Sequence, residues 1–417
     1  KVRCSPYSGC MVPTPSRVAM VSMHTSPAAQ AGSGDAGGMN VAVLAIASEL
    51  AQRGVEVELL TRAMGEPSSR ELEPGVTLFE LPAGEPGPLT RQELSFAADE
   101  FGEAVATLTG RRRPRYDLIH AHYWLSGIAT LPVAIELGLP FVQSFHTLAV
   151  MKTREAGTSE STRRAHSETY LANQSNAVVA SSAAEATSLI DEVRAPVERV
   201  WVVPPGVDVD LFRPTRDEAE SQVRELLAIA PGRPILTSVG RVQPLKDQEL
   251  AIRTLAAVHA RHGWAPVLVI VGEPTPGSED YAASLLTLAA ELGVDDQVRF
   301  VGALGRQQLA DVFAASTLTL STSLSETFGL VSLESAASGT PVVGFRGSGL
   351  SESIAHSTSG LLVDSRDPQA WAQVVCELLE HPPQLGRLSQ SAREFALGHT
   401  WSASVTSLLG VYDRAAG

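Results

Sequence analysis

Two cations in one loop occupy positions that suit chemistry on a phosphate group. Arg241 and Lys246 lie in "SVGRVQPLKD", between a predicted strand over 234–239 and a predicted helix over 248–261. Paired cations at the carboxyl end of a sheet strand suit a diphosphate. The alternative is that these long side chains are simply solvated, as most cations in loops are.

Two glutamates occur eight residues apart in "SETFGLVSLESAASGTP", which predicts a helix from near Thr327 to Gly339. At about 100° per residue, that spacing places Glu326 and Glu334 on neighbouring faces. A glutamate at a helix start ordinarily compensates the helix dipole, whereas a second one amid alanine and serine has no such explanation. Both carboxylates suit sugar hydroxyls as hydrogen-bond partners.

The segment "GSGDAGGMN" over 32–40 contains G-x-G-x-x-G, the pattern that binds NAD(P) or FAD. A true dinucleotide fingerprint turns directly from its strand into the helix. Here eight residues separate the predicted strand over 17–23 from Gly32, and the helix starts only at Gly38. The pattern therefore indicates a phosphate-type site at a helix N-terminus. An NAD(P) oxidoreductase stays a weaker alternative.

Two patterns invite a metal interpretation. Asp208 and Asp210 form an Asp-x-Asp pair, but a hard cation needs more oxygen ligands, and the proline-bounded "PGVDVDLFRP" is typical of turns. His120 and His122 point to one side of a predicted strand, yet no third ligand has an obvious position. We expect core or loop histidines and no metal site.

Composition limits the class of protein. The 417 residues carry a net charge of −14, which argues against nucleic acid or an anionic membrane as main partners. An anionic ligand must then be held by locally placed cations. The three cysteines form no disulfide framework, which favours a reducing, cytoplasmic location. The oligomeric state stays open, and a homodimer is one alternative.

Alternation of apolar β-branched runs with helical patterns predicts an α/β protein with two doubly wound, Rossmann-like domains facing a cleft. The first covers 17–204 after a disordered leader over 1–16, and the second covers 220–400 after a linker over 205–219. One predicted helix, over 40–53, places Val41, Leu44, Ala45, Ser48 and Ala51 on a common face.

Together these motifs resemble the retaining GT-B glycosyltransferases of family 4, and within it the subgroup that glycosylates D-inositol 3-phosphate in mycothiol biosynthesis. The resemblance runs in order from about Arg17 to the last residues. The motifs that carry it are "GDAGGMNV", "YDLIHAHYWLSG", "FHTLAVMK", "VVPPGVDVDLFRP", "SVGRVQPLKD", "SETFGLVSLESAASGTPVV" and "SGLLVD".

The resemblance implies a nucleotide-sugar donor held mainly by the second domain. Arg241 and Lys246 would neutralise the leaving diphosphate, and His146 would lie near the sugar at the reaction centre. Glu334 would bind the ribose hydroxyls. The remaining implied donor residues are Gly37, Gly38, Glu326, Thr327, Phe328 and Gly329.

The resemblance also implies a small anionic acceptor held by the first domain. Its phosphate would be bound by Arg91, Tyr123, Thr147 and Arg163, while Asn40 would face the acceptor ring. A final helix over about 401–415 would complete this domain. No cofactor or metal is implied, since protein cations do the work of Mg²⁺.

Three departures from the family pattern leave the substrates open. Thr322-Ser323 replaces Pro-Ser, Ser348-Gly349-Leu350 replaces Gly-Gly-Leu, and Asn40-Val41-Ala42 replaces Asn-Val-Tyr. In addition, Arg91 stands where relatives have lysine. UDP-N-acetylglucosamine and an inositol phosphate are the first expectation. The alternative is a secondary-metabolic enzyme with another, GDP-linked sugar and an acceptor that bears a carboxylate or thiol. A sugar-nucleotide-binding protein without turnover is a third.

Overall fold

The computed structural model describes residues 15–113, 115–214, 217–347 and 349–417. The expected leader over 1–16 lies almost wholly outside these residues, as do residues 215 and 216 of the expected linker and Ser348. In the described ranges the first domain has an eight-stranded sheet. Its strands are β1 (Arg17–Val21), β2 (Glu56–Arg62), β3 (Ser68–Glu73), β4 (Val76–Leu81), β5 (Leu118–His122), β6 (Phe141–Ser144), β7 (Ala177–Ala180) and β8 (Val200–Val202).

The first sheet has the order β3-β4-β2-β1-β5-β6-β7-β8. Neighbouring strands pair in parallel except β3 and β4, which form an antiparallel hairpin at one edge. The parallel strands contain the apolar runs because helices cover both faces of such a sheet. Strand β3 was not predicted, and the reason is that its "SSRELE" is polar and mostly exposed.

The helices of the first domain follow its strands in α/β order. They are α1 (Gly38–Gln52), α2 (Arg91–Phe96), α3 (Ala98–Arg111), α4 (Trp124–Leu137), α5 (Ala149–Ala156), α6 (Thr162–Gln174) and α7 (Ala183–Asp191). The face predicted for α1 is partly right, because Leu44 and Ala51 are half-buried and pack against the apolar cluster of the sheet. The fully buried apolar residues include Val43, Ala47 and Leu50, at i, i+4 and i+7.

The second domain has six parallel strands among its described residues, in the order β11-β10-β9-β12-β13-β14. They are β9 (Ile235–Val239), β10 (Val267–Val271), β11 (Val298–Phe300), β12 (Leu318–Ser321), β13 (Val342–Phe345) and β14 (Gly360–Val363). The helices that accompany them are α8 (Asp217–Leu226), α9 (Gln248–His262), α10 (Glu279–Glu291), α11 (Arg306–Ala315), α12 (Leu330–Ala337), α13 (Leu350–Ser353), α14 (Pro368–Glu380) and α15 (Pro382–Leu397).

The last helix, α16 (Trp401–Ala416), returns to the first domain. Its residues Val405, Leu408 and Tyr412 are buried in the same apolar cluster as β1 and α1. Short 3-10 helices occur at Val197–Arg199, Pro244–Lys246 and Asp295–Gln297. Residues that follow strands of both sheets line one cleft between the domains. Ligands of doubly wound folds bind at such carboxyl ends of the strands.

Candidate active site

The cleft between the domains has a volume of about 230 Å³ and brings the predicted residues together. All predicted site residues except Glu334 and Arg163 line it. From the first domain these are Gly37, Gly38, Asn40, Arg91, Tyr123, His146 and Thr147, and from the second Arg241, Lys246, Glu326, Thr327, Phe328 and Gly329.

The N-terminus of α1 forms one wall of the cleft. Gly37 is the N-cap residue, and a Cβ atom added to it would lie 3.8 Å from Arg241 Nε. Asn40 accepts a hydrogen bond from Gly37 N at 2.9 Å and donates through Nδ2 to Thr25 Oγ1 and Ser26 O. Asn40 therefore fixes the loop that precedes α1, and both of its amide hydrogens are used there.

A carboxylate joins the cations of the two sides of the cleft. Asp35 Oδ1 lies 3.0 Å from Arg241 Nη1 and 3.3 Å from Arg91 Nη2. Arg241 follows β9 after one intervening residue, whereas Arg91 begins α2 in the other domain. Asp35 thus pairs both with Arg241, the cation predicted to bind the diphosphate, and with Arg91, a cation predicted to bind the acceptor.

Lys246 forms an ion pair with Glu326 Oε1, which also accepts a hydrogen bond from Ser323 Oγ at 2.8 Å. Thr327 Oγ1 donates to the carbonyl of His146 at 2.6 Å, so this loop also contacts the first domain. Gly349 N donates to Glu326 O at 2.8 Å, and a Cβ there would lie only 1.9 Å from Thr327 O. A glycine is therefore needed to let the loop lie close.

The two glutamates do not share a helix. Gly329, with φ of 91°, is the N-cap of α12, so Glu326 precedes the helix and the rotation predicted from eight residues does not apply. Glu334 is 2% exposed and accepts a hydrogen bond from Arg306 Nη1 at 2.7 Å. Burial raises the pKa of Glu334, an effect that the arginine opposes. Ribose binding by Glu334 stays a prediction. It requires either that the Arg306–Glu334 pair opens or that Glu334 accepts hydrogen bonds from Arg306 and the ribose together.

Two residues of the cleft hold unusual backbone conformations. Tyr123 follows β5 with φ of 75°, and His146 follows β6 with φ of 62°. Bulky residues rarely adopt the left-handed region, and such strain is concentrated at functional sites. His122 Nδ1 lies 2.9 Å from His146 Nε2, while His120 contacts Tyr412 and Ser144 through its two ring nitrogens. Burial lowers the pKa of His146 to about 4, so the ring is neutral at pH 7.

Arg163, which was predicted to bind the acceptor phosphate, lies outside the cleft. Its side chain is exposed on α6, donates to Ser95 O at 2.9 Å and does not line the cleft. Its neighbour Arg164 is 2% exposed and donates through Nη2 to the hydroxyl and carbonyl oxygens of Thr147 at 2.8 and 2.9 Å. One residue rotates a helix by about 100°, so the two arginines point in different directions. Neither lines the cleft itself, but Arg164 is buried directly behind Thr147, which does.

Arg164 is held firmly in its position. Its guanidinium donates to Glu168 Oε1 at 2.7 Å and to Glu160 Oε2 at 2.9 Å, and its Cζ lies 5.3 Å from the centre of the Tyr123 ring. Glu168 in turn accepts from Ala149 N at 2.9 Å, which ties α6 to α5. The guanidinium is thus oriented by fixed partners beside two residues of the cleft.

Lys152 also lines the cleft and was not predicted, although "FHTLAVMK" contains it. Its Nζ lies 3.5 Å from Glu160 Oε1. Burial, assisted by the nearby Arg164, lowers the pKa of Lys152 to about 8. The signal in the sequence was rarity: Lys152 lies five residues after Thr147, and the chain has only two other lysines, Lys1 and Lys246.

The Asp-x-Asp pair has a structural role. Asp208 Oδ1 accepts hydrogen bonds from Asp210 N at 3.1 Å and Leu211 N at 3.0 Å, which closes a turn in the linker. Across the described ranges, no group of three histidine, cysteine or acidic residues is arranged to hold a metal ion. Within the same ranges, no helix is long and apolar enough to cross a membrane.

Comparison with known proteins identifies the family. The family models "Glycosyl transferase 4-like domain" and "Glycosyl transferases group 1" match residues 37–206 and 220–395. The D-inositol 3-phosphate glycosyltransferase of Stackebrandtia nassauensis is 40% identical to this chain, and the match covers 97% of this chain and 93% of that protein. That of Thermobispora bispora is 39% identical, with 96% and 95% covered. The chain belongs to this glycosyltransferase family.

A solved structure agrees with the family. A sucrose-phosphate synthase from Thermosynechococcus elongatus is 28% identical and matches with a TM-score of 0.84, over 95% of this chain and 98% of that chain. The protein is a glycosyltransferase with the GT-B fold, as the sequence motifs predicted, and it resembles inositol-phosphate glycosyltransferases along nearly its whole length.

Proposed function

We propose that this glycosyltransferase moves N-acetylglucosamine from UDP-N-acetylglucosamine to an inositol phosphate, with retention of anomeric configuration. The observation that carries the proposal is that Thr147 and Tyr123 line the acceptor side of the cleft with the buried guanidinium of Arg164 directly behind them. A fixed guanidinium beside a hydroxyl and a phenol matches a phosphate monoester, which offers several acceptor oxygens. The relatives that are 35–40% identical bear the matching name.

The local charge supports an anionic acceptor. Arg91 and Lys152 of the first domain line the cleft together with Thr147, and Arg164 contacts Thr147 from behind, whereas the protein as a whole carries a charge of −14. An anion is repelled by the overall field, so these cations must supply the attraction. Asp35 and Glu160, which pair with them in this structure, hold the cations in place.

The donor side supports departure of a nucleoside diphosphate. The bond from the anomeric carbon to the terminal phosphate oxygen breaks, and the acceptor hydroxyl attacks from the same face. The departing phosphate takes the hydroxyl proton. Arg241, Lys246 and the N-terminus of α1 at Gly38 stabilise the charge that develops on the phosphate. We assign no carboxylate as a covalent nucleophile.

We further propose that turnover requires no divalent metal. Two cations, Arg241 and Lys246, line the cleft where the diphosphate would bind. Asp208 belongs to the Asp-x-Asp pair that could suggest a metal site, but it accepts two backbone hydrogen bonds within the linker turn. Charge neutralisation by arginine and lysine supplies what Mg²⁺ would otherwise provide.

The acceptor assignment is tested by a matched pair of neighbouring variants. Arg164→Lys keeps the charge but loses the planar fork, and we expect the acceptor KM to rise by about 10- to 100-fold, the effect of one charged hydrogen bond. Arg163→Ala, one residue away and exposed, should leave that KM unchanged. Thr147→Val provides a second test that leaves the buried ion pairs intact. Equal effects of Arg163→Ala and Arg164→Lys on acceptor KM would contradict the assignment.

One feature, the guanidinium of Arg91, favours the alternative substrates, a GDP-linked sugar and an acceptor that bears a carboxylate. It lies within 3.3 Å of the Asp35 carboxylate, and a guanidinium can bind a carboxylate through two parallel hydrogen bonds. A thermal-shift panel of UDP- and GDP-linked sugars distinguishes the donors, because a ligand that binds only the native state raises Tm. Stabilisation by GDP-sugars alone would favour the secondary-metabolic enzyme.

A further inference from the structure

A second cavity, of about 40 Å³, adjoins the cleft in the first domain. It lies between the carboxyl ends of β5 and β6, the start of α7, and α16. His146, Ser181 and Pro205 border both this cavity and the cleft. The cavity is therefore separated from the proposed reaction centre by a single layer of residues that includes His146.

Three buried polar atoms at this cavity have no protein hydrogen-bond partner in the described part of the chain. They are His122 Nε2, Glu185 Oε1 and Ser404 Oγ. Their side chains come from three different elements and are 0%, 1% and 6% exposed. Buried polar groups nearly always have a partner, and water fills that role where two to four such groups surround it. About 10–15 Å³ is enough for one water molecule, so this cavity can hold water.

The cavity is connected to the cleft by two histidines. His122 Nδ1 lies 2.9 Å from His146 Nε2. Burial lowers the pKa of both rings, that of His146 to about 4, so both are neutral at pH 7. A neutral imidazole has one N–H and one lone pair. Whether the partner of His122 Nε2 donates or accepts a hydrogen bond therefore decides which nitrogen of His146 carries the proton.

We propose that ordered water in this cavity links Glu185 to His122, and that Glu185 is thereby a positioning residue for His146. The link sets whether the remaining nitrogen of His146, Nδ1, is a donor or an acceptor. This inference rests on the proposed function only in placing His146 beside the reacting sugar.

The protonation state of Glu185 reverses the chain of hydrogen bonds. Its Oε2 accepts from Ser181 N at 2.7 Å and Ser181 Oγ at 2.6 Å, so a proton on Glu185 resides on Oε1 and is donated to water. Water then donates to His122 Nε2, His122 Nδ1–H donates to His146 Nε2, and His146 Nδ1 carries the proton. When Glu185 is ionised, donor and acceptor exchange roles in each of these hydrogen bonds. His146 then carries its proton on Nε2, and its Nδ1 has a free lone pair.

The reversal falls in the neutral pH range. Burial raises the pKa of Glu185 to about 7, against the hydrogen bonds from Ser181. Glu168 from α6 and Glu352 from α13 raise it further, and Glu352 itself accepts hydrogen bonds from Ala183 N and Ala184 N at the start of α7. The other titratable groups at the cavity, His120, His122 and His146, stay neutral because burial lowers their pKa.

The test is the tautomer of His146 in the substrate-free, full-length protein, followed by ¹⁵N NMR of histidine-labelled enzyme from pH 6 to pH 8.5. In the wild type we expect the N–H of His146 to move from Nδ1 to Nε2 as the pH rises through about 7. In Glu185→Gln the amide oxygen accepts from Ser181 and the amide N–H faces the cavity, as in protonated Glu185. His146 should then carry its proton on Nδ1 at every pH.

Kinetics provide the second readout. The wild-type kcat should differ by about fivefold between the two pH limits, the effect of one hydrogen bond, and Glu185→Gln should remove that difference. Glu192→Gln, at the C-cap of the same helix but paired with Arg154 at the surface, is the matched control and should behave as wild type. If Glu185→Gln is unstable, Ser404→Ala, which removes one water partner, should shift the pH midpoint of the tautomer transition. A wild-type tautomer that is constant with pH, or one that still changes in Glu185→Gln, would overturn the proposal. Because the NMR test uses no substrate, a wrong substrate assignment cannot produce either result.

Discussion

Removal of the charge on Lys246 should slow the chemical step far more than it weakens donor binding. The ammonium group lies in the cleft, 22% exposed, in an ion pair with Glu326. When the nucleoside diphosphate departs, one further unit of negative charge develops on its terminal phosphate. That charge is absent from the bound donor, so its attraction to lysine stabilises the transition state selectively.

The size of the effect follows from the geometry. Two unit charges about 4 Å apart attract by about 4 kcal/mol at an effective dielectric constant of about 20. Glu326 neutralises part of the field of the lysine, and the phosphate charge is shared among its oxygens. We therefore expect about 2–4 kcal/mol, or a fall in kcat of about 30- to 1000-fold, in Lys246→Met.

The assay compares kcat, from release of the nucleoside diphosphate at saturating substrates, with donor Kd from calorimetry. Arg253→Met is the matched control, since this α9 cation is 43% exposed and pairs only at the surface with Glu249. Its kcat should equal that of the wild type. A Lys246→Met enzyme with normal kcat and a raised donor KM would refute the reasoning and make the lysine a mere tether.

Three further outcomes are expected. Gly349→Ala should raise the donor KM, because the added Cβ would lie 1.9 Å from Thr327 O. The control is Gly386→Ala, whose added Cβ would meet no neighbouring residue within 4 Å and which should leave the donor KM unchanged. Equal donor KM values for the two variants would contradict the packing argument. EDTA should leave turnover unchanged, and activity that is lost and then restored by Mg²⁺ or Mn²⁺ would contradict the metal-independent mechanism. Acceptor KM should rise above pH 8, because Lys152, whose pKa is about 8, loses its charge there; the same rise in Lys152→Met would show that another group is responsible.

The sequence predicted the strands because parallel strands are buried on both faces and leave continuous apolar runs. Strand β3 leaves no such run, since only its pairing with β4 defines it. The burial of one helix face was harder to predict. On α1 several faces carry small apolar residues, and packing against the sheet selects Val43, Ala47 and Leu50.

The sequence could predict which residues lie at the cleft where a motif fixes the backbone, but not where tertiary packing chooses between neighbours. Arg241 and Lys246 follow β9 and had to lie at its carboxyl end. The choice between Arg163 and Arg164 depends on how α6 is rotated, which the buried pair of Arg164 with Glu168 fixes. Glu168 lies four residues after Arg164, and that spacing was the signal in the sequence.

The central claim is retaining transfer to an anionic acceptor, and one measurement tests it most directly. Purified enzyme is incubated with UDP-N-acetylglucosamine and D-inositol 3-phosphate, and the anomeric coupling of the isolated product is measured by ¹H NMR. The account predicts a single glycoside with the α configuration of the donor. A β-linked product, or transfer to neutral inositol but not to its phosphate, would contradict it.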